Sequence, residues 1–176
     1  CHRRRLDAGQ ARFILGCMKW MIPLCLTAAP VVAETCPPGA DYSARYIEIV
    51  TALNTVQSQA DAAPLSAELW ELWLDAPDER AQALLDEGMA RRSVYDFLGA
   101  RAALDRLVDY CPDYAEGYNQ RAFASFLARD FDAALVDLDR TLAILPTHTG
   151  ALSGKALTLI GMGRDDEAQD VLRAAL

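Results

Sequence analysis

From residue 77 onward, apolar and small residues recur along the chain with a fixed step of 34 positions. Large apolar residues keep this step in three columns, which are Leu84, Tyr118 and Leu152; Leu104, Leu138 and Leu172; and Val108, Leu142 and Leu176. Small residues keep it in two further columns, which are Gly88, Ala122 and Ala156; and Ala100, Ala134 and Ala168. Such agreement in both size and spacing indicates an internal repeat.

Each repeat is predicted to be a helical hairpin, with its turn near Asp96, Asp130 or Arg164. Small side chains let the two helices approach closely, and large apolar side chains fill the space between hairpins. Prolines at 112 and 146 end the second helix. Because one hairpin cannot bury its own apolar faces, neighbouring hairpins must stack. The sequence therefore predicts an all-α, helical-hairpin solenoid with units at 77–112, 115–146 and 149–176, the third being interpreted as truncated.

Residues 34–76 are predicted to form an entry arm and two helices that cap the stack. Apolar residues lie on one face of the first helix, at Tyr42, Tyr46, Ile49, Val50, Leu53 and Val56. A break is expected at Asp61–Pro64, after which Ser66 would cap a short second helix. Trp70 and Trp73 lie on one side of that helix and are interpreted as covering the exposed side of the first hairpin. A sugar or peptide platform is the alternative for this aromatic pair.

The unit from Ala115 to Pro146 resembles the tetratricopeptide repeat (TPR) family. The resemblance covers about 100 residues and includes the period of 34 and the prolines at the repeat ends. The family's Trp, Gly, turn-aromatic and most restricted small positions are occupied here by Tyr118, Ala122, Phe131 and Ala134, respectively. Arg121 and Ser125 depart from it, since the family usually has Leu and Tyr there.

The resemblance implies a protein or peptide partner on a concave face lined by the first helix of each hairpin. The strongest candidates for that face are Met89, Arg92, Asn119, Gln120, Phe123, Phe126 and Leu157. Further face positions are Gln82, Leu85, Asp86, Glu116, Ser153 and Ile160. Amide hydrogen bonds and apolar pockets would hold an extended or helical peptide, although Phe123 and Phe126 are open to the alternative of being core. The face lacks the basic clamp that some family members use for a terminal carboxylate.

The first 33 residues are interpreted as two segments that precede the mature protein. Residues 1–17 start with Cys1 and are interpreted as upstream sequence. Residues 18–33 have the pattern of a secretory signal peptide, with Lys19, an apolar run and small residues before Glu34. The apolar run is shorter than the ~20 residues that span a bilayer, so cleavage is favoured over a retained anchor. The sequence thus predicts a periplasmic or secreted protein, with a membrane-anchored assembly factor as the alternative.

Export changes the interpretation of the cysteines, because only Cys36 and Cys111 remain after residue 33. An even pair in an oxidising compartment is a disulfide candidate. Such a bond would tie the entry arm to the end of the first hairpin. Two unpaired thiols, with Cys111 simply buried, are the alternative.

Charge and side-chain chemistry favour a binding protein over an enzyme. Beyond residue 33 there are 24 acidic and 12 basic residues, an excess that repels nucleic acids. No metal-ligand spacing, nucleophile with a base or phosphate-binding loop is found, and His148 is predicted to be a solvated turn residue. No cofactor, metal or catalytic residue is therefore predicted. The enzymatic alternative is a cell-wall-associated hydrolase using carboxylates, for which Asp130 with Asp132 and Asp137 with Asp139 are example pairs.

Overall fold

The computed structural model describes residues 35–173 in full and the backbone of Ala174. The segments 1–17 and 18–33 lie outside these residues, and so does Leu176. The described chain is entirely helical outside its connections. Its helices are α1 (Ser43–Leu53), α2 (Gln59–Leu74), α3 (Glu79–Ser93), α4 (Phe97–Tyr110), α5 (Ala115–Leu127), α6 (Phe131–Ile144), α7 (Thr149–Gly161) and α8 (Asp165–Ala174). None of the helices in this described part is long and apolar enough to cross a membrane.

Helices α3 to α8 form three consecutive hairpins that stack side by side. Within each hairpin the two helices pack on each other, and each second helix also packs on the first helix of the next hairpin. The first helices α3, α5 and α7 also contact one another in succession and form an inner layer. The predicted all-α solenoid is confirmed.

The small-residue columns mark the places where the paired helices come closest. Ala122, Ala156 and Gly88 are all buried, each in the first helix of its hairpin. At Gly88, a Cβ atom would lie only 2.6 Å from Cγ of Leu104, which is fully buried in α4. A larger residue at this position would have to push α3 and α4 apart.

The hairpin turns repeat with the same period as the helices. Tyr95, Arg129 and Gly163 all have positive φ angles, of 65°, 63° and 73°, and each lies two positions before the start of a second helix. The next residues in the first two hairpins, Asp96 and Asp130, accept a hydrogen bond from a backbone N–H of the first turn of α4 and α6. A left-handed residue followed by an acidic cap thus reverses the chain in these two hairpins.

Helix α2 begins earlier than the sequence predicted. Ser58, not Ser66, is its N-cap, and its side chain accepts a hydrogen bond from the Asp61 N–H (3.1 Å). Pro64 lies inside the helix rather than breaking it. A proline there leaves only the Ala60 carbonyl without its helical donor. The capped first turn and the burial of Leu69 further along hold the helix together across this position.

The pair α1–α2 lies against the starts of α5 and α7, so the prediction that the tryptophans cover the first hairpin is wrong. The Trp73 ring stacks on the ring of His148, the N-cap of α7, with centroids 4.0 Å apart. Tyr46 of α1 donates a hydrogen bond to the Thr147 carbonyl oxygen. Tyr114, before α5, donates to the Trp73 carbonyl oxygen (2.6 Å), and burial raises the pKa of Tyr114. The stacking of Trp73 and the hydrogen bonds of Tyr46 and Tyr114 thus hold the pair against the starts of α5 and α7.

The entry arm is joined to the end of α4 by a disulfide between Cys36 and Cys111. The two Cα atoms are 5.1 Å apart and the residues are separated by 75 positions. Cys111 is buried in the core between the first two hairpins. The covalent loop therefore encloses α1, α2 and the whole first hairpin.

Candidate functional site

An open groove runs between α2 on one side and α5 with α7 on the other, and we call it the inner groove. Its volume is about 400 Å³. Trp70 and Leu69 contribute from α2, and Phe123, Phe126 and Leu157 contribute from α5 and α7. Trp70 also meets Trp73 edge to face, with ring centroids 5.4 Å apart. The groove thus has one wall of repeat helices and one wall from a helix outside the repeat.

Four of the predicted face residues line the inner groove and stay accessible, one of them being the exposed Ser153. Phe123 is 46% exposed and Leu157 is 55% exposed, although both belong to helices of the inner layer. Phe126 is half-buried and its ring packs on that of Phe131, with centroids 5.6 Å apart. The accessible part of this lining is therefore aromatic and aliphatic with one hydroxyl group, while Asp86, also predicted for the face, is exposed outside the groove.

Asn119 and Gln120 border the same groove, but their amide groups are engaged inside the protein. Both side chains are buried, and both donate hydrogen bonds to the carboxylate of Glu116. Glu116 is 2% exposed, so its charge depends on these donors for stabilisation. Hydrogen bonding between these amide N–H groups and a peptide, as the sequence suggested, would require breaking this arrangement.

His148 is fully buried, so the prediction of a solvated histidine is wrong. Its Nδ1 accepts a hydrogen bond from the Ala151 N–H (3.1 Å), which caps α7. The ring proton is therefore on Nε2, which donates to Oε2 of Glu116 (2.9 Å). The Trp73 ring covers one face of the imidazole. These three contacts stabilise the buried imidazole and compensate for the loss of its hydration.

Arg92 and Met89, both predicted for the face, do not line the inner groove. The Arg92 guanidinium lies 4.5 Å from the centre of the Phe123 ring and donates a hydrogen bond to Oε1 of Gln120. Burial lowers the pKa of Arg92, while the nearby charge of Glu116 acts in the opposite direction. Met89 is half-buried and packs against the core of the first hairpin. Arg92 therefore contacts the groove residues Phe123 and Gln120 from α3, and Met89 packs against the core of the first hairpin.

The chain resembles known proteins in sequence as well as in structure. A tetratricopeptide repeat family model matches residues 125–176. A TPR repeat-containing protein of Rhizobium etli is 28% identical over 151 residues, covering 81% of this chain and 71% of the relative. The TPR2B domain of yeast Sti1, solved as a pHsp70 complex, is 26% identical with a TM-score of 0.54, covering 56% of this chain and 78% of that one. The chain thus carries tetratricopeptide repeats, which the family model matches at residues 125–176.

A second and more distant structure shares the fold of this chain. The crystal structure of MamA is 22% identical with a TM-score of 0.53, and the match covers 77% of this chain and 75% of that one. At this identity the similarity concerns the fold alone.

Arg121, which departs from the usual TPR pattern, holds three helices together. Its guanidinium donates two hydrogen bonds to Asp137 of α6 (2.8 and 2.6 Å) and one to Asp105 of α4 (2.8 Å). The hydrogen bonds to Asp137 make the largest contribution to raising the pKa of Arg121. Arg121 therefore links α5 to α6 within its hairpin and to α4 of the preceding hairpin through partly buried ion pairs.

The acidic pairs noted in the sequence have structural partners. Asp130 caps α6 and also pairs with Arg101 (2.7 Å), while Asp139 pairs with Lys155 (2.6 Å). Within residues 35–173, no three His, Cys, Asp or Glu side chains are grouped as a metal ion would require. These contacts explain the acidic residues as helix caps and ion-pair partners.

Sequence reasoning missed the two features that shape the site, which are the α2 wall and the Glu116–His148 pair. Trp70 had been assigned to a different surface, and Glu116 and His148 are 32 positions apart in different hairpins. One signal was available, because His148 directly precedes α7 and a helix N-cap needs a hydrogen-bond acceptor. No local pattern, however, indicates where α2 packs on the repeat.

Proposed function

We propose that this TPR protein is a protein-interaction scaffold of the cell envelope, and that its partner binds in the inner groove. The observation that carries the proposal is the pair of facing walls with accessible apolar side chains. Trp70, Phe123 and Leu157 are between 44% and 55% exposed, although folding normally buries such residues. A partner that covers them would gain the free energy of removing apolar surface from water.

The structural relatives support a protein or peptide as the ligand. The TPR2B domain of yeast Sti1 was solved as a pHsp70 complex. The TPR2AB domain of the same protein was solved as a pHSP90 complex, with 23% identity and a TM-score of 0.55, and this chain covers 51% of its length. Peptide or protein binding is therefore the activity that this fold supports best.

The envelope location rests on the leader-like segment 18–33 and on the disulfide between Cys36 and Cys111. Structural disulfides persist in exported proteins and are rare in a reducing cytosol. Fusing residues 18–36 to a reporter enzyme that is active only after export tests the location. Activity in the periplasmic fraction is the expected result, and activity confined to the cytosol would contradict it.

Site-directed photo-cross-linking tests the binding role. A photoreactive residue at Leu157 is expected to cross-link a partner protein in living cells, because this side chain points into the groove and is accessible. The matched control is a photoreactive residue at Leu98, which is 79% exposed in α4 and does not line the groove. Equal yields of the same product at both positions would contradict the proposal, as would the absence of a product at Leu157.

The hydrolase alternative lacks a supporting observation in the described residues. Its carboxylate pairs form helix caps and ion pairs, and none of these carboxylates lines the inner groove. The membrane-anchored alternative concerns the segment 18–33, and the mature mass of the protein in cells distinguishes it from cleavage.

A further inference from the structure

The lining of the inner groove carries no charged side chain. It consists of aromatic, aliphatic and small residues together with hydroxyl and amide groups, and the amide groups of Asn119 and Gln120 are held by Glu116. A carboxylate or a phosphate entering the groove would lose its hydration, and the Arg92 guanidinium beside Phe123 is already engaged with Gln120. Strongly charged ligands are therefore disfavoured in the groove itself.

The chain as a whole is acidic, with a formal net charge of −8. Most of the basic side chains in the described residues are already paired with acidic ones, as Arg101 is with Asp130 and Lys155 is with Asp139. The same holds for Arg106 with Glu87, and for Arg164 with Glu167. The charge that remains to attract a partner is therefore negative.

The exposure of the walls distinguishes a protein segment from a small enclosed molecule. Trp70 is 44% exposed and Phe123 is 46% exposed, so the groove is open to solvent along its length. A small apolar ligand would leave part of both walls, and of its own surface, exposed to water. Small-molecule sites instead bury most of their ligand's surface. A protein segment brings its own polar side to cover the opening.

We propose that the groove binds a short apolar segment of a partner protein that is flanked by Lys or Arg residues. This inference rests on the proposed function and specifies its ligand. The large apolar side chains of the segment pack between Trp70 on the α2 wall and Phe123 with Leu157 on the repeat wall. The basic flanks lie over the acidic surface outside the groove, where they speed association and favour this class of partner.

Three labelled peptides test the ligand class on the full chain by fluorescence anisotropy. One has a Leu/Phe core with Lys flanks, one has the same core with Glu flanks, and one has a Ser core with Lys flanks. The first is expected to bind at least about ten-fold more tightly than the other two at low salt. The preference for Lys over Glu should shrink as salt is added. Equal or tighter binding of the Glu-flanked or the Ser-core peptide would overturn the proposal.

Substitutions in both walls test whether this binding occurs in the groove. Trp70→Ala and Leu157→Ser are each expected to weaken binding of the Lys-flanked apolar peptide about ten-fold. Leu98→Ser is the matched control, because Leu98 is more exposed than either but lies outside the groove. Leu157→Ser keeps the test valid if Trp70→Ala disturbs α2. An equal effect of all three substitutions would place the peptide elsewhere and overturn the proposal.

Mapping the cross-link formed at Leu157 separates failure of this inference from failure of the proposed function. A partner attached through an apolar segment with basic flanks supports both. A partner attached through an acidic or uniformly polar segment overturns the ligand class but leaves the scaffold role standing. Attachment of a second copy of this chain also overturns the ligand class. If no partner is attached, both fail.

Discussion

The three hairpins and the pair α1–α2 are held in place by different kinds of contact. In the hairpins, buried apolar and small side chains recur at every interface, as Leu104 and Ala100 do in α4. The pair α1–α2 has a small core of its own around Ile49, Leu69 and Trp73. It also depends on individual long-range contacts, including the stacking of Trp73 on His148.

This difference teaches that the two walls of the inner groove differ in how firmly they are held. The repeat wall is part of a continuous stack, in which the α5 hairpin has a neighbouring hairpin on each side and the α7 hairpin has one. The α2 wall depends on a few aromatic and hydrogen-bonding contacts and on the disulfide between Cys36 and Cys111, which we call the tether. Changes in single residues should therefore move the α2 wall more easily than the repeat wall.

Removing the tether should have the largest effect on stability. In the chain-entropy model, a disulfide that closes a loop of this length contributes about 4 kcal/mol to the free energy of unfolding. The double variant Cys36→Ala with Cys111→Ala should lose that amount in chemical denaturation, and alanine avoids placing a hydroxyl at the buried Cys111. The wild-type protein under reducing conditions is the control and should behave similarly. Unchanged stability would mean that α1–α2 is held without the tether.

Truncation of one core residue of the repeat should have the second-largest effect on stability. Leu104 is fully buried in α4 and faces Gly88 of α3. Leu104→Ala is expected to lower the free energy of unfolding by about 3 kcal/mol, through lost burial and the cavity that remains. The matched change Leu98→Ala, on the exposed side of the same helix, should cost less than about 0.5 kcal/mol. Similar losses for the two variants would contradict the assignment of the core.

The repeat could be predicted from the sequence because its determinants are local and periodic. The burial of Leu104 and the close approach at Gly88 follow from side-chain size at a fixed spacing. The turns also follow, since Asp96 and Asp130 precede their helices directly. Each of these features needs only knowledge of neighbouring residues and of the period.

The site could be predicted only on its repeat side. Phe123 and Leu157 were found because they lie at fixed positions of the first helices. The α2 wall was not found, because the packing of Trp73 on His148 joins residues that are distant in the sequence and outside the period. Pro64 added to the error, since a proline near a helix start was interpreted as a break.

The buried carboxylate offers a test of how α7 is fixed to α5. Glu116 accepts hydrogen bonds from Asn119 and Gln120 of its own helix and from His148 of the next hairpin. Glu116→Gln replaces one carboxylate oxygen by an NH2 group, which donates and cannot accept from these donors, and about 2 kcal/mol of stability should be lost. Asp113→Asn is the control, because its side chain is 94% exposed. Chemical denaturation measures both, and equal effects would show that the buried network is not stabilising.

The smallest expected loss of stability should be confined to the α2 wall. Tyr46→Phe removes the hydrogen bond from α1 to the Thr147 carbonyl oxygen, which contributes about 1 kcal/mol. Because the acceptor lies just before α7 and neither α5 nor α6 takes part in this bond, hydrogen exchange should become faster in α1 and α2 and stay unchanged in α5 and α6. Tyr95→Phe is the matched control, since that ring is 81% exposed at the first hairpin turn. If exchange becomes faster in all helices equally, α1–α2 and the repeats open as one unit. The two walls of the groove would then have the same stability, and the proposed difference between them would be wrong.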